Sequence, residues 1–154
     1  MRKHASIFCL LLALVASAVH AADLAVIVHP ANPVRSMTLA ELGKILKGKS
    51  SATWPTGRTI TVVLRDPGSP AMKFFFEKVM GVGTEEAKTI LSEPSRKSSA
   101  PVVFAETDEE IVKFVGSNAS AVGIVDVYNI TGSVKVIKID EKQPFDPGYA
   151  LKGH

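Results

Sequence analysis

Arg65-Asp66-Pro67-Gly68-Ser69 gathers a guanidinium, a carboxylate, a hydroxyl and a glycine into five residues between an apolar run at 60–64 and an amphipathic one starting at Pro70. Those residue types at that spacing suit the capture of an oxyanion. The first N–H groups of a helix have no partner inside it, and the helix dipole adds positive potential there. Gly68 lets the backbone come close to a ligand, Ser69 offers a hydroxyl, and Arg65 supplies a planar fork of donors matched to phosphate or carboxylate. Asp66 either holds the guanidinium by a salt bridge or repels the anion. The plainer reading of the same five residues is also complete. Ser69 is then an N-cap, Pro67 and Gly68 make a turn, and Arg65–Asp66 is a surface ion pair contributing about 0–1 kcal/mol.

Other polar groups point to less. Ser69 has no local histidine base, and His29, followed by Pro30, has no His or Cys at ligand spacing, so neither a catalytic triad nor a metal site is expected. Glu85-Glu86 and Asp108-Glu109-Glu110 fall in first helical turns, where the dipole already accounts for them. Trp54 in a Trp-Pro-x-Gly loop reads as a packing residue, with stacking on a partner as the alternative. Asp126 and Tyr128 end a strand and read as structural or exposed residues, with lining of a cleft as the alternative. Arg96-Lys97 sits in a polar, basic stretch, 92–101, that reads as a flexible loop. Asn118-Ala119-Ser120 matches a glycosylation acceptor, which carries meaning only in a glycosylating host. No enzymatic function and no cofactor are expected.

The elements that must position these residues alternate between strand and helix. A first strand is expected over 24–28, followed by an irregular, proline-punctuated link. Thr38 and Glu41 form a capping box with Met37 and Leu42 as a hydrophobic staple, and Gly48 closes that helix. Residues 60–64 read as a strand covered on both faces. Ser69 caps a helix with Pro70 at its first position, where a missing N–H does no harm, and Gly81 ends it. A third helix runs from Thr84 to about Leu91. A second capping box, Thr107 to Glu110, starts a fourth that ends at Gly116, and two strands follow, over 121–127 and 134–139. The tail from Gln143 is expected to be extended. The pattern predicts an α/β fold with helices on both faces of a mixed sheet.

Bulk properties narrow the setting. Arg2, Lys3 and His4 precede a short apolar stretch and small residues, with a plausible cut after Ala21, so residues 1–21 read as a secretory signal peptide. The apolar run is shorter than the roughly 20 residues needed to span a bilayer. Removing that segment takes two of the 18 basic residues and none of the 15 acidic ones, lowering the net charge from +3 to +1. A basic partner surface for nucleic acid is therefore not implied, nor is stable membrane insertion. The single cysteine, Cys9, lies in the same segment and in no lipobox. The remaining 133 residues make one domain, stabilised by its core rather than by disulfides.

Asn32-Pro33, the helix start from Thr38 to Leu46, Gly48-Lys49…Trp54-Pro55-Thr56-Gly57, Arg65 to Ser69, and Ala121 to Val125 occur in an order that resembles the periplasmic phosphate-binding proteins of ABC transporters. The resemblance is to their small single-domain, PBP-like branch and covers most of residues 22–154. It implies one lobe of a type II periplasmic-binding-protein-like fold and a periplasmic location. It also implies phosphate or a similar oxyanion as ligand, held by Arg65, Gly68 and Ser69, with Asp66 standing in for a family aspartate one position later. Pro67, Pro70 and Ala71 depart from the family turn, removing one amide donor and one hydroxyl. A lone lobe implies a half-site, completed by another copy of the chain or by a periplasmic or transporter protein. The alternative is a periplasmic interaction module in which the anion site has decayed.

Overall fold

A computed structural model describes residues 23–49 and 52–153. The expected signal peptide lies outside the described residues. Five strands and five helices of substance form it, together with one short edge strand. In chain order they are β1 (Leu24–Val28), β2 (Ser36–Met37), α1 (Leu39–Leu46), β3 (Thr61–Arg65), α2 (Pro70–Phe75), α3 (Thr84–Ser92), α4 (Pro94–Ser99), β4 (Val102–Ala105), α5 (Asp108–Ser117), β5 (Ala121–Asp126) and β6 (Lys135–Ile139). The sheet order is β2-β6-β1-β5-β3-β4. β3 is parallel to β4 and β5, whereas β1 runs antiparallel to both β5 and β6, so the sheet is mixed.

Helices cover both faces. On one, Leu42 and Leu46 of α1, Met72 and Phe75 of α2, and Ala87 and Leu91 of α3 pack on Val26, Val62, Leu64 and Ile124. On the other, Ile111, Val112 and Val115 of α5 pack on Ile27, Val63 and Val125. All five residues of β1 are buried, which is the reason its sequence, Leu-Ala-Val-Ile-Val, is apolar without alternation. Gly123 in β5 lets α5 approach this closely. A Cβ there would come within 2.6 Å of Ile111 Cγ2 and 2.9 Å of Val115 Cγ2.

Both capping boxes form as the sequence predicts. Thr38 Oγ1 accepts from the Glu41 amide while Glu41 accepts from the Thr38 amide, and Thr107 and Glu110 repeat the arrangement. These hydrogen bonds hold the Glu41 carboxyl below its ordinary pKa. α2 starts at Pro70 behind the Ser69 cap, and a π-helical turn, Phe76–Met80, continues it to Gly81 in the left-handed region. Trp54 is buried and its Nε1 donates to the Ser120 carbonyl at 2.9 Å, which makes it a packing residue. His29 Nδ1 accepts from the Ala31 amide and serves a turn.

Three expectations need correction. The stretch 92–101 is not a flexible loop: Pro94–Ser99 is helical and Arg96 is only 2% exposed. The link after β1 contains a short strand, β2, parallel to β6, and an unforeseen strand, β4, lies at the other edge. The tail is a chain of turns rather than an extended segment, with Tyr149 and Leu151 buried and the Leu151 carbonyl accepting from the Leu24 amide. Burial raises the Tyr149 hydroxyl above its ordinary pKa, with the Asp23 charge adding to the effect. Among the described residues, no helix is long and apolar enough to cross a membrane.

Candidate functional site

Because β3, β4 and β5 are parallel, their C-terminal ends share one edge of the sheet. Arg65 pairs in register with Ala105, and Asp126 ends β5 beside them. Three connections leave from that edge: the turn 65–69 into α2, the step from Ala105 to Thr107 into α5, and the short 3-10 turn Val127–Asn129. Ends of parallel strands feeding helix N-termini are where open α/β sheets gather ligand groups.

Within the turn, the Gly68 amide donates to Asp66 Oδ1 at 2.7 Å and the Ser69 amide donates to the Asp66 carbonyl at 3.0 Å. Ser69 Oγ accepts from the Met72 amide at 3.3 Å, as an N-cap does. Asp66 therefore shapes the turn and does not hold the arginine. That corrects the salt bridge expected between neighbours.

Arg65 is held from a different element. Its Nη1 donates to Asp108 Oδ1 at 3.1 Å, and Asp108, the first residue of α5, is 7% exposed. Asp108 Oδ2 also accepts from the Asp126 amide at 3.0 Å and from Asn129 Nδ2 at 2.9 Å. One carboxylate thus ties together the ends of β3 and β5 and the start of α5. The helix dipole favours it there, but three specific partners fix it, which goes beyond the first-turn role read from sequence. Nε of Arg65 is buried and has no hydrogen-bond partner among the described residues. Sequence reasoning missed the roles of Asp108 and Asn129; an acidic residue at the first position of a helix is the one signal in the sequence for Asp108, and it was read there as serving the dipole alone.

Arg65, Thr107, Asp108, Tyr128 and Asn129 line one open hollow of about 600 Å³. Gly68, Ser69 and Asp66 do not line it. The structure therefore separates the predicted set: the guanidinium leans toward α5, while the cap and glycine stand at the head of α2. Tyr128 is 79% exposed at the rim, against the ring of Phe145 with centroids 6.3 Å apart. Asp126 caps the 3-10 turn by accepting from the Tyr128 amide.

A family profile described as a PBP superfamily domain matches residues 13–148. The chain belongs to this PBP superfamily domain family. Solved structures of similar fold include an ABC-type phosphate transport receptor from Vibrio cholerae. It shares 25% identity over 79% of this chain and 47% of that one, with a TM-score of 0.63. A putative phosphate ABC transporter substrate-binding protein from Clostridium perfringens, solved with bound phosphate, shares 26% identity over 82% of this chain and 49% of that one, with a TM-score of 0.66. PstS from Borrelia burgdorferi, at 16% identity and a TM-score of 0.64 over 88% of this chain and 55% of that one, shows the fold alone. A search of curated proteins gives no match. The PBP-like chain spans about half the length of these solved structures. Its α/β architecture is of the type II periplasmic-binding-protein class.

Proposed function

We propose that this PBP-like chain is an exported solute-binding protein that takes phosphate or a similar oxyanion, without catalysis, at the edge where β3 meets α2. The observation that carries the reading is Arg65. Its side chain stands at the end of a parallel strand, gives Nη1 to Asp108 and buries Nε, yet stays 32% exposed, and the turn that follows it leads to a helix start with a serine hydroxyl. The similarity to a substrate-binding protein solved with phosphate supports the choice of ligand. The same similarity supports a link to ABC-type phosphate uptake as part of this reading.

A second reading has its own observation. Asp66 already takes the Gly68 amide, Asp108 already offsets the Arg65 charge, and Pro70 has no N–H to give. A site so occupied by the chain's own carboxylates fits an interaction module that has lost its anion. Ser69 separates the two readings. Ser69→Ala is expected to cost about 1 kcal/mol of stability as a lost cap, whereas Ser69→Gly largely spares the cap. Both remove the hydroxyl, so isothermal titration with phosphate, sulfate and small carboxylates is expected to show weaker binding in both. Equal affinity in wild type and Ser69→Gly would leave the turn as a cap alone.

Export rests on the segment 1–21. The mature chain is expected to start near Ala22 and to be released with the periplasmic fraction without detergent, which N-terminal sequencing checks. An intact Met1–Ala21 on detergent-extracted protein would contradict it.

A further inference from the structure

The two edges of the sheet are unlike. β2 is two residues long and follows Arg35, the sort of short, charged edge that discourages pairing. β4, Val-Val-Phe-Ala, has no charge, and its Phe104 is 48% exposed. Among the described residues β4 pairs only with β3.

The phase of its backbone follows from one bond and the register. The Val62 amide donates to the Pro101 carbonyl at 2.8 Å, and Val62 stands opposite Val102 in a parallel ladder. Successive residues of a strand turn their N–H and C=O to opposite sides, so those of Val103 face β3 and those of Val102 and Phe104 face outward. An apolar edge of that phase matches its own copy. With a two-fold axis perpendicular to the sheet through Val103, Val102 of each strand falls opposite Phe104 of the other. Each such pair has its free amide and carbonyl groups aimed at each other, giving four hydrogen bonds in all. Val103 faces Val103 of the copy as the central non-hydrogen-bonded pair, where Cα atoms approach to about 4.5 Å. Opposite residues then lie on the same face: Val102 and Phe104 on the side of α2, Val103 on the side of α5.

We infer that β4 pairs antiparallel with β4 of a second copy about Val103, joining two six-stranded sheets into one. The strands run in opposite directions, so each copy's Arg65 edge sits at the opposite end of the joined pair, roughly 13 Å along the strand from the other. Dimerisation is thus independent of anion binding. It buries Phe104, and it does not complete the site around Arg65.

Cysteine cross-linking tests the register, since Cys9 is the sole cysteine and Cys9→Ser gives a thiol-free chain. In that background Val103→Cys is expected to give a covalent dimer on mild oxidation at high protein concentration, because a central non-hydrogen-bonded pair meets disulfide geometry. Val102→Cys and Phe104→Cys, each opposite the other residue type, are expected to cross-link several-fold less. Val103→Lys, placing two like charges on the axis, is expected to shift sedimentation from dimer to monomer. Cross-linking no better at 103 than at 102 and 104, or a sedimentation profile that stays monomeric to the millimolar range, would overturn the inference.

Discussion

Replacing Arg96 with alanine is expected to lower unfolding free energy by about 3–5 kcal/mol, from two lost hydrogen bonds of a charged group at about 1.5–3 kcal/mol each, less the desolvation cost that the substitution relieves. Among the described residues, Arg96 has no carboxylate as a hydrogen-bond partner. Its Nε donates to the Leu46 carbonyl at 2.7 Å and its Nη1 to the Ala100 carbonyl. Those carbonyls close α1 and α4, where helices leave acceptors unpaired and the dipole is negative. Two helix ends thereby do for this cation what a counter-ion would. Desolvation still lowers the guanidinium pKa from its ordinary value, and Nη2 is buried without a partner among the described residues, so part of the gain is offset. The orphaned carbonyls and the cavity decide the sign, because each lost hydrogen bond to a charged group is worth about 1.5–3 kcal/mol. Arg96→Met is expected to recover the volume and not the hydrogen bonds, falling between wild type and alanine. Urea unfolding followed by Trp54, the single tryptophan and a buried one, measures both. A loss for Arg96→Ala below about 1 kcal/mol, the ordinary surface range, would refute this account.

Arg65→Ala is expected to weaken phosphate binding by roughly 1.5–3 kcal/mol, a factor of about 10 to 150, with Arg65→Lys between it and wild type. As a surface ion pair with Asp66, the plainer reading of the sequence, Arg65 would contribute only about 0–1 kcal/mol to stability. The ion pair with Asp108 alters that expectation, since alanine leaves a nearly buried carboxylate with only the Asp126 amide and Asn129 as donors. Arg65 is itself 32% exposed at its side chain, so the stability loss should stay near the low end, about 1–2 kcal/mol. Calorimetric titration of folded variants, alongside their unfolding curves, separates the two effects. Unchanged anion affinity with a measurable stability loss would make Arg65 a strut between β3 and α5 and favour the interaction-module reading.

Local chemistry was legible wherever a signal was complete within a few residues. Thr38 with Glu41, Thr107 with Glu110, Ser69 before Pro70, and Gly48 and Gly81 each name their own hydrogen bond or backbone region, and all of them start or end helices as read. The apolar runs at 24–28 and 60–64 likewise announce strands, the second of them read as covered on both faces. The same locality explains what was lost. Polar stretch 92–101 carries no apolar period, so nothing in it says that Arg96 will be buried. That placement depends on the end of α1, fifty residues earlier, and on Gly48, whose Cβ would come within 2.9 Å of the Arg96 backbone. The partner of Arg65 was equally out of reach. Sequence offered Asp66 next door, but a neighbour's carboxylate is better placed to accept from the amide two residues on, and Asp66 does so with Gly68. Asp108, 43 residues away, reaches the guanidinium because β3 and β4 are parallel and in register, which brings the head of α5 to the end of β3. The sequence by itself thus determined the α/β class, the caps and the anion-like chemistry of the turn, whereas tertiary structure chose which charges meet, because long-range ion pairs are set by strand register rather than by spacing along the chain.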